Sequence, residues 1–229
     1  MARVPPVPLI ITLVLIFIIA WYAFSVFGIP GIREENITSL TAVEIRDYEG
    51  ERLSSIADFR ENSIRGPQYI NPGDYHLNIT GLVDQPLSLT YDQVLDRYPH
   101  YSKKVTLFCV EGWDVTILWE GVLVREVLAD AKVRPEANTI IFSAADGYST
   151  SLPLDYLQDR DIMMAYAMNG VTLPPERGFP FQLVAEDRWG YKWIKWVTAI
   201  EVSADTSYRG YWERRGYSQD ANITRGFFD

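Results

Sequence analysis

The sequence predicts an α+β fold in which short helices are interleaved with the strands of a mixed β-sheet. Tyr75–Val83 alternates apolar and polar residues, which is typical of a strand with one buried face. Asp146-Gly147 and Asn169-Gly170 are tight-turn pairs that follow apolar segments. Thr90, with Gln93 three residues later, has the pattern of a capping box that begins a helix. Strands, hairpin turns and short helices in alternation indicate the α+β class.

The predicted elements are short, and most are bounded by glycine, proline or polar turn residues. Before residue 62 the chain is rich in charge, with a short strand near Leu40–Tyr48 and a helical turn at Ser54–Phe59. The later strands are predicted at Tyr75–Val83, Val105–Val110, Thr139–Ala144, Ile162–Met168, Phe181–Ala185 and Trp193–Val202. The helices are predicted to begin at Thr90, to span Trp119–Asp130 and to begin again at Leu154.

A membrane anchor is predicted near the N-terminus, where Leu9–Phe27 is free of charged residues. As a helix this segment rises about 28 Å, close to the hydrocarbon thickness of a bilayer. No small-residue cleavage site follows it, which favours an uncleaved anchor over a signal peptide. Three Asn-Ile-Thr sequons, at Asn36, Asn78 and Asn222, suit an extracytoplasmic domain. The predicted segments are the anchor at 1–31, a lead-in at 32–61, the main domain at 62–205 and a C-terminal extension at 206–229.

Composition restricts the classes of function. The net charge of −9 argues against a nucleic-acid partner, because binding to phosphate groups needs concentrated Lys and Arg. The single cysteine excludes an internal disulfide and an all-cysteine zinc or iron–sulfur site. With only two histidines, a histidine-rich metal centre is also disfavoured. A bound metal would therefore take most of its ligands from elsewhere, for example from an organic cofactor.

The lone cysteine, Cys109, lies at the end of an apolar segment that breaks at Gly112. A thiol at the end of a buried strand can be held rigidly and still face a cavity, as a metal ligand or a nucleophile requires. The same position suits an inert core cysteine, because free cysteine is among the most buried residue types. A cysteine hydrolase is disfavoured because neither His76 nor His100 lies in a recognisable motif.

Six short motifs follow one another in the order found in one enzyme family. They are Cys109-Val-Glu-Gly-Trp113, Trp119-Glu-Gly-Val-Leu123, Asp146-Gly-Tyr148, Ala165-Tyr-Ala-Met-Asn-Gly-Val-Thr-Leu-Pro174, Arg177-Gly-Phe-Pro180 and Gly190-Tyr-Lys-Trp-Ile-Lys-Trp196. From about residue 62 to about residue 203 the chain thereby resembles the sulfite oxidase-type molybdopterin-binding oxidoreductase domain. Within this family it is more similar to the small bacterial catalytic subunits of periplasmic methionine sulfoxide reductases than to sulfite oxidases.

The resemblance implies a molybdenum–molybdopterin cofactor with Cys109 as the catalytic residue and the one protein ligand of the metal. It places the phosphate of the pterin on Gly190–Lys195, with Gly190, Tyr191, Lys192, Trp193 and Lys195 as contacts and Lys195 as the matching cation. Asn62 corresponds to an early asparagine that contacts the cofactor. Arg177 stands where the family often has histidine, and Gln182 stands where it often has arginine. The plain alternatives are solvated lysines at 192 and 195 and a turn residue at Asn62.

The implied reaction is oxygen-atom transfer on a small-molecule substrate, with electrons exchanged with a membrane or haem-type partner. Sulfoxide reduction is the first expectation and oxidation of a sulfite-like substrate the second. Cys109 is followed by Val110, Glu111 and Gly112, whereas sulfite oxidases carry a basic residue shortly after the cysteine. The pocket is therefore less suited to binding an anion. The competing hypothesis is a cofactor-free binding or scaffold module on the same fold, which would contain neither molybdenum nor pterin.

Overall fold

Residues 37–228 contain two five-stranded sheets and four short helices, which confirms the α+β prediction. The computed structural model describes residues 37–228, so that the predicted anchor at Leu9–Phe27 lies outside the described residues. Within residues 37–228, no helix has both the length and the apolar character needed to cross a bilayer. Chain contacts group the residues from Ile37 onward into one unit. The boundaries predicted at 62 and 205 stay predictions.

The elements follow one another in a strand-rich order. The helices are α1 (Ile37–Leu40), α2 (Tyr91–Arg97), α3 (Val124–Ala131) and α4 (Leu154–Gln158), and 3-10 turns span Pro175–Arg177, Gly190–Lys192 and Glu213–Arg215. The strands are β1 (Asp47–Tyr48), β2 (Glu51–Arg52), β3 (His76–Gly81), β4 (Leu87–Thr90), β5 (Tyr101–Phe108), β6 (Asp114–Leu123), β7 (Thr139–Ala144), β8 (Ser149–Pro153), β9 (Met163–Met168), β10 (Val171–Thr172), β11 (Gln182–Val184) and β12 (Val197–Ser203).

The first of the two larger sheets is antiparallel and has the order β10-β9-β6-β5, with β11 also paired to β9. The second has the order β4-β3-β12-β7-β8 and is mixed, because β3 and β12 run parallel while the other pairs are antiparallel. A separate β1–β2 hairpin completes the strands. The apolar core includes fully buried residues of both sheets, among them Trp119 of β6, Phe142 of β7 and Ile200 of β12. The hydrophobic effect that stabilises the fold therefore comes from both sheets.

Several local predictions are confirmed by the structure. Thr90 and Gln93 form the capping box at the start of α2, in which each side chain bonds to the backbone N–H of the other residue. Asn169 and Gly170 join β9 to β10 with φ values of 48° and 76°, the left-handed conformation that this type of hairpin turn requires. The buried Asn169 side chain also accepts from the Leu118 amide and donates to Ser54 O, which fixes the turn against the lead-in.

Three local predictions were wrong in part. The predicted helix over Trp119–Asp130 is strand as far as Leu123, because residues 119–123 pair with β9, and only α3 is helical. The predicted strand over Trp193–Val202 begins at Val197, and the residues before it form the site loop described below. The predicted strand over Leu40–Tyr48 consists of the end of α1, a turn and β1.

One buried carboxylate, that of Glu44, joins two parts of the lead-in to each other and to the turn between β9 and β10. Glu44 accepts from the Ser55 hydroxyl at 2.6 Å, from the Ile56 amide at 2.8 Å and from the Asn169 amide at 3.2 Å. Three donors compensate for the loss of water around a buried charge. Residues 54–59 contain a single turn, which is closed by the hydrogen bond from Asp58 N to Ser55 O. They do not form a helix.

Candidate active site

Cys109 lies in a tight turn between β5 and β6. Its backbone N–H donates to Trp113 O at 2.9 Å, and its carbonyl accepts from Gly112 N at 3.1 Å. Gly112 has φ of 82°, a conformation that glycine adopts without strain and most other residues do not. Two backbone bonds across the turn hold Cys109 rigidly at the end of the paired strands. The residue is only 8% exposed.

A cavity of about 410 Å³ lies beside Cys109. Four stretches of chain form its walls: residues 59–64, the Cys109 turn, the segment 190–196 and the C-terminal residues Trp212 and Tyr217. The remaining lining residues are Leu107, Asp146, Tyr148, Glu176, Arg177 and Gln182. Of the predicted site residues, the structure brings together Asn62, Cys109, Arg177, Gln182, Gly190, Tyr191, Trp193 and Lys195.

The environment of the Cys109 thiol is mainly apolar, with a few polar groups near the sulfur. Burial raises the pKa of Cys109, because the thiolate loses its hydration. The Glu111 backbone N–H, the charge of Arg60 and the Asn62 amide oppose this increase, and the Asn62 Nδ2 atom lies 3.7 Å from Sγ. A metal ion bound at the sulfur would supply the positive charge that deprotonates it.

Arg177 connects the lead-in to the cavity. Its guanidinium donates to Ile56 O at 3.1 Å and Phe59 O at 3.2 Å, and it lies 5.0 Å from the centre of the Phe59 ring. The residue is 5% exposed, and burial lowers the pKa of its side chain. Gln182, at the start of β11, is equally buried and offers an amide to the cavity. The two residues that depart from the family pattern therefore both line the cavity.

The segment Gly190–Lys195 packs directly against the Cys109 turn. A Cβ atom on Gly190 would lie 3.2 Å from Phe108 O and 3.6 Å from the Cys109 Cα, a distance that leaves little room for any side chain. The Lys195 ammonium donates to the Glu61 carboxylate at 2.8 Å and to Glu176 O at 3.2 Å. Burial lowers the pKa of Lys195, and the bond to Glu61 opposes this effect.

Lys192 differs from the other predicted contacts because it does not line the cavity. Its side chain is fully buried, and its ammonium donates to the Glu213 carboxylate at 2.5 Å and to Ser151 O at 2.9 Å. Its backbone N–H is taken by Trp189 O. The alternative of a solvated lysine is wrong for this residue, and its side chain serves a structural ion pair in place of a cofactor contact.

Sequence reasoning missed several residues of the cavity. Arg60 comes from the lead-in, and its charge acts on the Cys109 thiol. Trp212 and Tyr217 come from the C-terminal extension, where their rings lie 5.1 Å apart. The only signal in the sequence was the density of aromatic residues after position 207, and it did not show where those residues pack.

The donor set of the cavity fits a cofactor that brings most of the metal ligands itself. Within residues 37–228, no group of three or more His, Cys, Asp or Glu side chains could hold a metal ion. The cavity does offer one thiol, one lysine, two arginines and two side-chain amides, from Cys109, Lys195, Arg60, Arg177, Asn62 and Gln182. Cationic and amide donors suit a phosphate group and the polar edge of a heterocycle, and the thiol suits a metal ion.

Comparison with known proteins defines the class. Residues 64–212 match the family described as the oxidoreductase molybdopterin binding domain, and the chain belongs to this family. It is a sulfite oxidase-like molybdopterin oxidoreductase domain, and molybdenum–molybdopterin is the cofactor of the family. The structure of the sulfane dehydrogenase SoxCD from Paracoccus pantotrophus has the same fold, with a TM-score of 0.63 and 23% identity over 85% of this chain and 58% of that one.

Two bacterial relatives show how similar the chain is to individual proteins. The uncharacterised oxidoreductase YuiH of Bacillus subtilis is 36% identical over 152 residues, which cover 66% of this chain and 76% of YuiH. The putative protein-methionine-sulfoxide reductase subunit YedZ1 of Azospira oryzae is 31% identical over 150 residues, which cover 65% of this chain and 56% of YedZ1. The chain thus spans little more than half the length of YedZ1.

Proposed function

We propose that this chain is a membrane-anchored molybdopterin-dependent enzyme that transfers an oxygen atom, with Cys109 as the thiolate ligand of molybdenum. The observation that carries the proposal is that Cys109 and Lys195 line one cavity of about 410 Å³. The proposal takes the thiol as the metal ligand and the ammonium group as the partner of a phosphate, and both groups line this cavity. When bound, the cofactor supplies the two-electron redox change that accompanies transfer of an oxygen atom.

The chain's own groups have separate parts in this proposal. Lys195 and the backbone of the Gly190 loop would hold the cofactor phosphate. Arg177, Gln182 and Asn62 would orient the pterin through hydrogen bonds. Phe59, Trp113 and Trp193 surround the site with apolar surface and exclude water from the reacting atoms.

Sulfoxide reduction is the first reaction proposed: a sulfoxide, two electrons and two protons give a thioether and water. The similarity to a putative methionine-sulfoxide reductase subunit supports it. Oxidation of a sulfite-like anion is the second; the Arg60 charge near the thiol would favour it, and the stronger effect of the Glu111 carboxylate would oppose it. Turnover of a methyl sulfoxide with a reduced viologen dye, and of sulfite with ferricyanide, measured on one preparation, decides between them.

The cofactor itself is tested by metal and pterin analysis of the full chain purified from a host that makes molybdopterin. We expect about one molybdenum and one pterin per chain, because the cavity has one thiol for one metal. A chain that contains neither, although the host loads other molybdenum enzymes, would instead be a cofactor-free module on the same fold.

Substitutions of Lys195 and of Glu61 are expected to have opposite effects on the pterin content of the protein. Lys195→Met removes the cation that would pair with a phosphate, and we expect the pterin content to fall about ten-fold. Glu61→Gln frees that cation from its carboxylate partner, and we expect the pterin content to be kept or raised. Pterin released from equal amounts of each protein, measured by fluorescence after oxidation, checks both. Equal losses in both variants would contradict the phosphate role.

The anchor is also part of the proposal. Leu9–Phe27 is long and apolar enough to span a bilayer, and the sequons suit an extracytoplasmic enzyme domain that exchanges electrons with a membrane or haem-type partner. The full chain should stay with the membrane fraction after alkaline carbonate extraction, whereas a chain that begins at Ile37 should be released. Release of the full chain would contradict the anchor.

A further inference from the structure

The pair formed by Lys192 and Glu213 is the most deeply buried ion pair of the described residues. Both side chains are fully buried, and the ammonium lies 2.5 Å from the carboxylate. Glu213 also accepts from the Thr150 hydroxyl at 2.6 Å, and Lys192 also donates to Ser151 O at 2.9 Å. Removing two charges from water is costly, so that such a pair persists only where each charge keeps its partner.

The pair lies directly behind two walls of the cavity. Lys192 is preceded by Tyr191 and followed by Trp193, and both of these neighbours line the cavity. Glu213 is preceded by Trp212, which lines the cavity from the C-terminal side. A bond between residues 192 and 213 therefore joins the backbone of the loop wall to the backbone of the C-terminal wall.

Other contacts join the loop and the C-terminal segment, and each of them is neutral or partly exposed to solvent. The Tyr191 hydroxyl donates to Ser218 O at 2.8 Å, and its ring lies 5.1 Å from that of Tyr217. The Trp189 indole donates to Arg225 O at 3.0 Å, in contact with solvent. These bonds are neutral and partly exposed, whereas the bond between the ammonium and the carboxylate is charged and dry.

We propose that Lys192 and Glu213 are positioning residues, whose buried ion pair holds the C-terminal segment 211–218 against the Gly190 loop and so keeps the cavity beside Cys109 closed on that side. Neither residue contacts the site itself, and both act through Trp212, Tyr217 and Tyr191. The inference rests on the proposed function only in taking this cavity as the site.

The rate at which the Cys109 thiol reacts with iodoacetamide tests this directly, because it is the only cysteine of the chain. The assay uses the full chain produced in a host without molybdopterin. The double variant Lys192→Met with Glu213→Leu removes both charges together, so that no unpaired charge stays buried. We expect it to react about ten-fold faster than the natural chain, with its midpoint of urea unfolding little changed, because local opening exposes the thiol.

Two control proteins separate positioning from a loss of stability. Arg134→Gln with Asp84→Asn removes an exposed ion pair whose residues do not line the cavity, and it should leave the rate unchanged. Val127→Ala removes buried methyl groups from α3 and destabilises the fold without touching the cavity. It should also leave the rate unchanged under native conditions.

The proposal would be overturned if Cys109 of the double variant reacted with iodoacetamide at the rate of the unsubstituted chain. It would also be overturned if Val127→Ala accelerated the reaction as much as the double variant does. If the double variant does not fold, Glu213→Gln replaces it, because it keeps an acceptor for Lys192 but loses the charge; the natural rate in that variant would likewise overturn the proposal. The assay contains no molybdenum, so that a negative result would not bear on whether Cys109 binds the metal. Conversely, a finding that the chain lacks molybdenum would not alter the result of this assay.

Discussion

Cys109→Ser is expected to lower turnover at least about a hundred-fold, because the chain would lose the thiolate that we propose as the metal ligand. Loss of stability should be about 1 kcal/mol, since serine is only slightly smaller and the turn is held by backbone bonds. Molybdenum per chain should fall as well. In any metal that is retained, X-ray absorption at the molybdenum edge should show one sulfur neighbour fewer than in the natural protein.

Ser63→Ala is the matched control for this experiment. Ser63 lines the same cavity, but its hydroxyl bonds to Glu61 and not to the thiol. It should keep molybdenum, turnover and the sulfur count. A Cys109→Ser protein with natural turnover and an unchanged sulfur count would show that Cys109 is an inert core residue.

Arg177→Met is expected to lower the free energy of unfolding by about 3 kcal/mol and to abolish binding of the pterin cofactor. Methionine keeps the apolar length of the side chain but leaves Ile56 O and Phe59 O without their donor, and a buried carbonyl without a partner costs about 1–3 kcal/mol. The lead-in would then lose its position beside the cavity, together with Phe59 and Asn62. Urea unfolding of the cofactor-free chain and pterin content of the loaded chain measure the two effects separately.

An exposed arginine provides the comparison. Arg214 donates to Arg209 O at the surface, and Arg214→Met should change stability by less than about 0.5 kcal/mol and leave the pterin content as it was. If Arg177→Met has the stability and the pterin content of the natural chain, then Arg177 neither holds the lead-in nor serves the cofactor.

The site was predicted well where a motif is continuous along the chain. Cys109 and the segment Gly190–Lys195 were identified because each lies in a run of characteristic residues, and the structure brings the two together. Lys192 was misjudged, because adjacent residues in a tight turn point in different directions and the sequence does not show which side chain faces the cavity. Arg60 was missed because its segment is joined to the site by Arg177, which is distant in sequence.

The sequence by itself determined the α+β class, the hairpin turn at Asn169-Gly170, the capping box of α2 and the family, because these depend on local backbone preferences and on the order of motifs. Only the tertiary structure decided that Trp119–Leu123 is strand, that Lys192 pairs with Glu213, and that Trp212 and Tyr217 belong to the site. The physical reason is that strand pairing, burial of charge and the walls of a cavity arise from residues far apart along the chain. Their energies outweigh the local preferences on which sequence patterns depend.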